Sequence, residues 1–358
     1  MTNKPTLTDW ADERESARFE ENQELQRSNR TLRATLAESK ADLAAVKQRL
    51  GVYEALDGAI IQPPKWILPP KRTGKKNLAI PSLFVTDVHW GESVEPAEID
   101  GLNCYNRAIA EMRIKQCAAG AVKLCRDYLS GVDYEGINLL LGGDLLSGDI
   151  HDELRETNVE ATTESVVGVI EALIPAIRVL ADHFGRVHTV AVTGNHGRTT
   201  KKPRAKRRSA DSFDGLVYRL IAREFQGDER VTFDVPAGPD AHFSVYNVRY
   251  CLSHGDQFRG GSGIAGALSP LLLGVHRKRR RDSQAGHPWD VLCVGHFHQS
   301  YYLKDLIVGG AVIGYNEYAH GQNLPFEEPS AGLWLNTPER GISAYMPVYL
   351  MDREAEGW

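Results

Sequence analysis

The chain has 358 residues, 42% of them apolar and 25% charged, with a formal net charge of −5. This balance belongs to a globular chain with one large domain or two smaller ones, and it excludes a disordered polymer. It also excludes a globally basic nucleic-acid binder, and no apolar run reaches the roughly 20 residues that a membrane-spanning helix needs.

Residues from about Thr8 to Leu56 are nearly free of glycine and proline and rich in Glu, Gln, Arg, Lys, Ala and Leu, so intrinsic propensity favours one long helix. Its apolar positions repeat in sevens. Leu36, Leu43 and Leu50 share one heptad position with Asn29, and Leu25, Leu32, Val46 and Tyr53 share the other, the pattern of a coiled-coil seam. A homo-oligomer through this arm is expected; the alternative is a helix that folds back on its own domain or is only partly ordered, to which Ser39 in the seam and the polar stretch before Leu25 lend weight. The segment QPPKWILPPKRTGKK, residues 62 to 76, cannot continue a helix and reads as an extended linker.

From Leu78 onward short apolar strands alternate with longer helical segments: LAIPSLFVTD, a helix across 103 to 130, INLLLGGD, a helix across 158 to 183, and VHTVAVTGN. After Phe233 the pattern turns to strands, in HFSVYNVRYCLSHGD, DVLCVGHFHQ and YYLKDLIVGGAVIG, which suggests a second set completing a layered α/β domain. The expected organisation is a helical arm over 1–57, a linker over 58–77, the catalytic domain over 78–322, and a C-terminal extension over 323–358 packed on the domain. MTNKPTLTDW lacks the features of a secretory signal, so a cytoplasmic location without a membrane partner is expected. The five cysteines (Cys104, Cys117, Cys125, Cys251, Cys293) form no CxxC pair and read as reduced.

Each strand in the catalytic stretch ends in a polar cluster. The series is Asp87-Val88-His89, Gly142-Gly143-Asp144, Gly194-Asn195-His196, Ser253-His254-Gly255 and Gly295-His296-Phe297-His298. Carboxylate, amide and neutral imidazole suit Mn, Fe, Zn or Ni, and the absence of cysteine beside them argues against a structural zinc site. Ligands of an open α/β sheet belong at the carboxyl ends of strands, where all five clusters fall. Neighbouring glycines let the backbone turn sharply and leave room for a metal. One such cluster alone carries little weight; the ordered set carries much more.

On these motifs the sequence resembles the calcineurin-like metallophosphoesterase family over roughly residues 78 to 320. The details of GGDLLSGDIHDE and VTGNHGR look most like bacteriophage-encoded members, which would place the chain in a bacterial or phage-infected cytosol. The resemblance implies a four-layer αββα sandwich, here preceded by the coiled-coil helix, with two divalent or mixed-valence metal ions at the strand ends, Mn favoured. It implies that Asp87, His89 and His298 hold the first metal, that Asn195, His254 and His296 hold the second, and that Asp144 bridges them. His196 would be the non-ligand acid. Two such cations, roughly 3.5 to 4 Å apart, lower the pKa of a shared water toward neutrality and neutralise phosphate oxygens, so a metal-bridging hydroxide would attack the ester.

The sequence departs from the family at Gly197, where many members carry Asp or Glu. The imidazole of His196 thus lacks a carboxylate at that position, and Asp149, His151 and Asp152 are the candidate substitutes. Arg198 is a candidate phosphate clamp. Trp90, beside His89, reads as a core or rim residue.

Local charge points to the substrate. RTTKKPRAKRRS, residues 198 to 209, directly follows the Gly-Asn-His motif, and HRKRRRD, 276 to 282, lies between two ligand motifs. Arg198, Lys201, Lys202, Arg204, Arg207, Arg208, Arg279 and Arg280 are therefore candidate substrate-binding residues, because cations that neutralise phosphates release condensed counterions. The alternative is that both runs are solvated loops or complement a helix dipole. The expected activity is two-metal hydrolysis of nucleic acid, DNA favoured. The rivals are a phosphatase or phosphodiesterase on nucleotides or phosphoproteins, and an inactive accessory or assembly subunit of the same fold.

Overall fold

The computed structural model describes residues 25–37, 40, 64–67, 77–258 and 268–358. The chain divides into two units, Met1–Ile60 and Ile61–Trp358. In the first, residues 25–37 form helix α1, on which Leu25, Asn29, Leu32 and Leu36 of the seam are exposed. Leu43, Val46, Leu50 and Tyr53 lie outside the described residues. So do most of the linker and the glycine-rich stretch before residue 268. Within the linker, Lys65–Ile67 form a short 3-10 turn rather than an extended strand. Ile67 is buried and its carbonyl accepts from the Tyr246 amide at 2.9 Å.

The second unit is built on two sheets. The first contains β1 (Leu78–Val85), β2 (Asp133–Tyr134), β3 (Ile137–Leu141), β4 (Val187–Ala191), β5 (Val231–Asp234), β11 (Ser330–Thr337) and β12 (Gly341–Tyr349). Its order is β12-β11-β1-β3-β4-β5, with β2 paired to β1. β1, β3, β4 and β5 are mutually parallel, whereas β11 runs antiparallel to β1 and to β12. The second sheet contains β6 (Asp240–Val245), β7 (Val248–Ser253), β8 (Val291–Val294), β9 (Tyr301–Tyr302) and β10 (Leu306–Val308), in the order β6-β7-β8-β10-β9.

Three apolar cores follow from the two-residue period of the strands. On one face of the first sheet, Leu83, Leu139 and Val187 pack with helices α2 (Arg107–Lys123), α4 (Thr162–Phe184) and α5 (Phe213–Glu224). From the opposite face Ile80, Phe84, Leu140 and Val190 join Phe243, Leu252, Val291, Cys293 and Ile307 of the second sheet. The remaining face of that sheet, with Leu292, Val294, Leu306 and Val308, packs on Leu271 and Val275 of helix α6 (Leu268–Gln284). β1, β3, β4, β8 and β10 are buried along their whole length, as strands covered on both faces must be.

The strands and helices expected from Leu78 onward are present, with α2 and α4 inside the expected ranges to within a residue. Helices α3 (Asp152–Thr157), α7 (Glu317–Gly321) and α8 (Arg353–Glu356) are short. Residues 323–358, expected as an extension packed on the domain, supply a strand of its first sheet: β11 is the hydrogen-bonded neighbour of β1. Nearly continuous burial of SAGLWLNT shows why, since such a strand needs cover on both faces. Trp90 is a core residue whose indole lies on Gly168 of α4 and donates to Glu160 Oε1 at 2.8 Å. All five cysteines are free, and all but Cys104 are buried.

Candidate metal centre

The parallel strands β1, β3 and β4 send their carboxyl ends to one side of the first sheet, and β7 and β8, parallel to each other, do the same in the second. The loops leaving these five ends interlock. The Asp87 carboxylate accepts from the His296 amide at 3.1 and 2.9 Å, and His254 Nδ1 donates to the Gly142 carbonyl at 2.8 Å. Each bond joins one sheet to the other, so the site exists only where the sheets meet.

All seven expected ligands converge. Nitrogen and carboxylate atoms of Asp87, His89 and His298 lie within 4.8 Å of one another, as do those of His89, Asp144 and His196, and those of Asp144, His254 and His296. His298 Nε2 is 3.5 Å from Asp87 Oδ1, and His254 Nε2 is 2.9 Å from Asp144 Oδ2 and 3.1 Å from Asn195 Oδ1. His89 and Asp144 thus link the two outer groups.

The backbone is held in an uncommon state to achieve this. Asp87 (φ 54°), His89 (50°), Asp144 (49°), His296 (70°) and His298 (51°) are in the left-handed region. Side chains there cost about 1–3 kcal/mol each and cluster at functional sites. A second sign is an orphan: Nε2 of the buried His89 has no hydrogen-bond partner, while its Nδ1 faces Glu92 at 3.3 Å. A buried imidazole left in that state is costly, and a cation beside it removes the cost. Gly194 leaves no alternative packing, since a Cβ there would meet Asp144 Oδ1 at 2.0 Å.

Charge supports the same conclusion. Burial opposes protonation of His89 and His254, yet the carboxylates of Glu92 and Asp144 prevail and push them up to about 9 and about 10. Asp144 is held well below the usual carboxylate range: burial works against this, and the protonated His254 beside it outweighs it. A pocket this negative favours any cation, and a divalent ion would displace those ring protons.

Several residues of the centre carry no sequence motif. Glu92 is buried, lies 3.3 Å from His89 Nδ1, and accepts from Asn316 Nδ2 at 2.9 Å. Such a carboxylate behind a ligand histidine orients the ring; its position three residues after His89 is the one available signal. Asp214 of α5 is fully buried, and burial with the nearby Asp144 pushes it up to about 6. The partner of His196 is neither Asp149, His151 nor Asp152. Its Nδ1 donates to the Ser147 carbonyl at 2.7 Å, and its amide donates to Asp144 Oδ1 at 2.7 Å. Asp149 is exposed, the His151 ring stands 5.6 Å from that of His196, and Asp152 pairs with Lys201. Burial lowers His196 to about 4, so the metal-free ring is neutral, not the imidazolium expected of an acid.

The two basic runs have different fates. Residues of the first run border an open cleft that begins at Gly194 and Asn195 and is lined by Arg198, Arg204, Lys206, Arg207 and Arg208, with Asp211 and Asp256. Arg198 is not a free clamp. Its guanidinium donates to the carbonyls of Thr200 (2.8 Å), Lys201 (2.8 Å) and Asn195 (3.2 Å) and so shapes the loop. Arg208 is paired with both Asp256 oxygens at 2.9 and 2.7 Å, and Arg207 with Asp211 at 2.9 Å. Lys202 and Arg204 are exposed.

The second run corrects an expectation. Arg279 pairs with Asp305 at 2.9 Å, donates to the Asp290 carbonyl at 3.3 Å and stacks 4.5 Å over Trp289. Asp290 and Asp305 precede β8 and β10, so Arg279 stands at the entry end of β8, whose exit end carries His296 and His298, and of its parallel neighbour β10. Lys278 and Arg281 are likewise taken up by Asp240. Helix α6 therefore uses this run to hold itself on the sheet, and Arg280 is exposed beside it.

No family model matches the chain, and no curated protein matches it. Among solved structures it is similar to Vps29 of Entamoeba histolytica complexed with Zn2+ (13% identity, 75% of this chain and 99% of that one, TM-score 0.28). It is also similar to an uncharacterized, predicted phosphoesterase of Streptococcus pneumoniae (8% identity, 75% and 98%, TM-score 0.27). A third is a putative 5'-nucleotidase of Staphylococcus aureus (11% identity, 77% and 55%, TM-score 0.33). Likenesses at this level do not bear on what the site does, which rests on its own geometry.

Proposed function

We propose that the chain is a two-metal phosphoesterase of the calcineurin-like type, acting on phosphodiesters of nucleic acid, with DNA favoured. The observation that carries this reading is the convergence of seven side chains from five strand ends on two groups joined through His89 and Asp144. Asp87, His89 and His298 would hold one ion, Asn195, His254 and His296 the other, and Asp144 both. The three cores, taken in order, support the layer order helix, sheet, sheet, helix of an αββα sandwich. Oxygen and imidazole donors without thiolate suit Mn, with Fe, Zn and Ni as competitors.

When bound, the ions would supply a nucleophile at neutral pH and Lewis acidity toward the phosphate oxygens. The chain supplies orientation. Glu92 and the Gly142 carbonyl fix the rings of His89 and His254, and the Ser147 carbonyl fixes His196 so that Nε2 is the atom that exchanges protons with the centre. Since burial lowers His196, its acid role requires an anionic substrate beside it to raise it. The cleft at Asn195 offers cations where the chain of a polymer would leave the centre. The exposed seam of α1 supports a homo-oligomer through residues 1–57.

A smaller substrate, a nucleotide or phosphoprotein, is favoured by one finding: Arg198, Arg207, Arg208 and Arg279 are all engaged within the protein. One experiment decides. Purified protein with Mn2+ is assayed on a bis-aryl phosphodiester and on linear, circular, single-stranded and duplex nucleic acids. Hydrolysis of the small ester with every nucleic acid intact removes the nuclease assignment, and no hydrolysis with no bound metal removes the enzyme.

A further inference from the structure

We infer that Asp214 is a positioning residue of the metal centre, a carboxylate that α5 supplies in the space left by the missing side chain of Gly197. This rests on the two-metal reading and names a residue that no motif marks. Asp214 accepts three backbone amides from two ligand-bearing loops: Asp144 at 3.1 Å, Gly194 at 2.9 Å and Leu145 at 3.2 Å. The first and third hold the left-handed turn at Asp144, and the second holds the turn that presents Asn195 and His196. Asp144 in turn receives the His196 amide at 2.7 Å, so one buried carboxylate stands behind the bridging ligand and both residues after Gly194.

The link to Gly197 is steric. A Cβ at 197 would lie 2.8 Å from Asp214 Cγ and Oδ1. Gly197 is not among the glycines at positive φ, so its backbone would accept a side chain and only space forbids one. The loop is also tied to the start of α5, because the Phe213 amide donates to the Gly197 carbonyl at 2.6 Å and Arg198 bridges to Ser212. A carboxylate absent at 197 in sequence is thus delivered to the same volume from residue 214. It touches neither substrate nor metal-facing atoms, so it acts through Asp144 and Asn195.

The test compares wild type, Asp214→Asn, Gly197→Asp and the double variant Gly197→Asp/Asp214→Ala, each as the full chain. Mn2+ binding is read by calorimetry, and hydrolysis of a bis-aryl phosphodiester is split into kcat and KM. Asp214→Asn replaces one accepting oxygen by an NH2 that faces a backbone amide donor and removes the charge, and the expected result is Mn2+ affinity lower by about 10–100-fold, with kcat reduced and KM unchanged. Gly197→Asp alone loses binding through the clash, and the double variant, with its carboxylate in the vacated space, recovers binding and kcat, whereas Gly197→Ala/Asp214→Ala, which relieves the clash without a carboxylate, does not. Wild-type affinity and kcat in Asp214→Asn overturn the inference, as does a double variant no better than Gly197→Asp, which decides the matter if Asp214→Asn does not fold. Wild type that binds no Mn2+, Zn2+, Fe2+ or Ni2+ overturns the two-metal reading itself.

Discussion

Arg113 and Glu356, 243 positions apart in sequence, meet as an ion pair of 2.8 Å with side chains 0% and 1% exposed. The same guanidinium donates to Asn103 Oδ1 at 2.9 Å and to the Ile313 carbonyl at 2.8 Å. The Ile313 amide then donates to the Asp87 carbonyl at 3.1 Å, which connects the pair to the strand end that begins the metal centre. Removing one member of a buried pair strands the other charge, at about 3–5 kcal/mol. Glu356→Ala is expected to lose that much in urea unfolding, and Arg113→Met/Glu356→Leu to lose less than either single truncation.

Glu92 holds His89 from behind without facing the centre's open side. Glu92→Gln keeps the bond from Asn316 and the volume but removes the charge. The expected outcome is about 10–100-fold weaker Mn2+ binding by calorimetry, with the melting temperature of metal-free protein little changed. Unaltered affinity would show that the ring is oriented by packing alone.

The separation of the two basic runs gives opposite expectations for their members. If nucleic acid follows the cleft at Asn195, Lys202→Ser/Arg204→Ser/Lys206→Ser lowers the slope of log affinity against log salt by about 0.9 for each duplex phosphate no longer neutralised. Arg279→Ser leaves the slope where it was, because that guanidinium is committed to Asp305 and Trp289. Fluorescence anisotropy at several salt concentrations distinguishes them. Equal effects from both variants would place the polymer elsewhere.

His188, on β4 away from the ligands, is 2% exposed and bonded to Thr232 Oγ1 at 2.9 Å. Burial lowers it from 6.5 to about 4. Between those values the unfolded chain binds a proton that the folded chain refuses, so its contribution is full above about pH 6.5 and lost as pH falls toward 4. The loss is at most about 3 kcal/mol. Urea midpoints measured from pH 7 to 4.5 should fall less steeply for His188→Gln than for wild type, and parallel curves would refute a buried neutral ring.

The candidate ligands were legible in sequence because each strand end carries its cluster in contiguous residues, and parallel strands bring successive carboxyl ends together without further information. What stands behind them was not. Asp214 reaches Asp144 across 70 residues and Asp256 reaches Arg208 across 48, pairings that no local spacing encodes. Gly197 was visible as an anomaly, but its explanation lies in a helix that begins at Phe213. Arg279 misled for the related reason that proximity in sequence to a ligand motif does not say which end of the next strand a helix approaches. Ser147 could not be foreseen as the partner of His196, since a backbone carbonyl leaves no trace in residue identity.

The pairing of β1 has a consequence for synthesis. β1 is bonded on one edge to β3 and on the other to β11, whose residues 330–337 are translated some 250 positions later. A nascent chain halted before that point holds β1 with one long edge bare, a template for pairing with other chains. The unit is therefore committed to closing late on the ribosome, and stalled or shortened products should be recovered as aggregates rather than as smaller folded units.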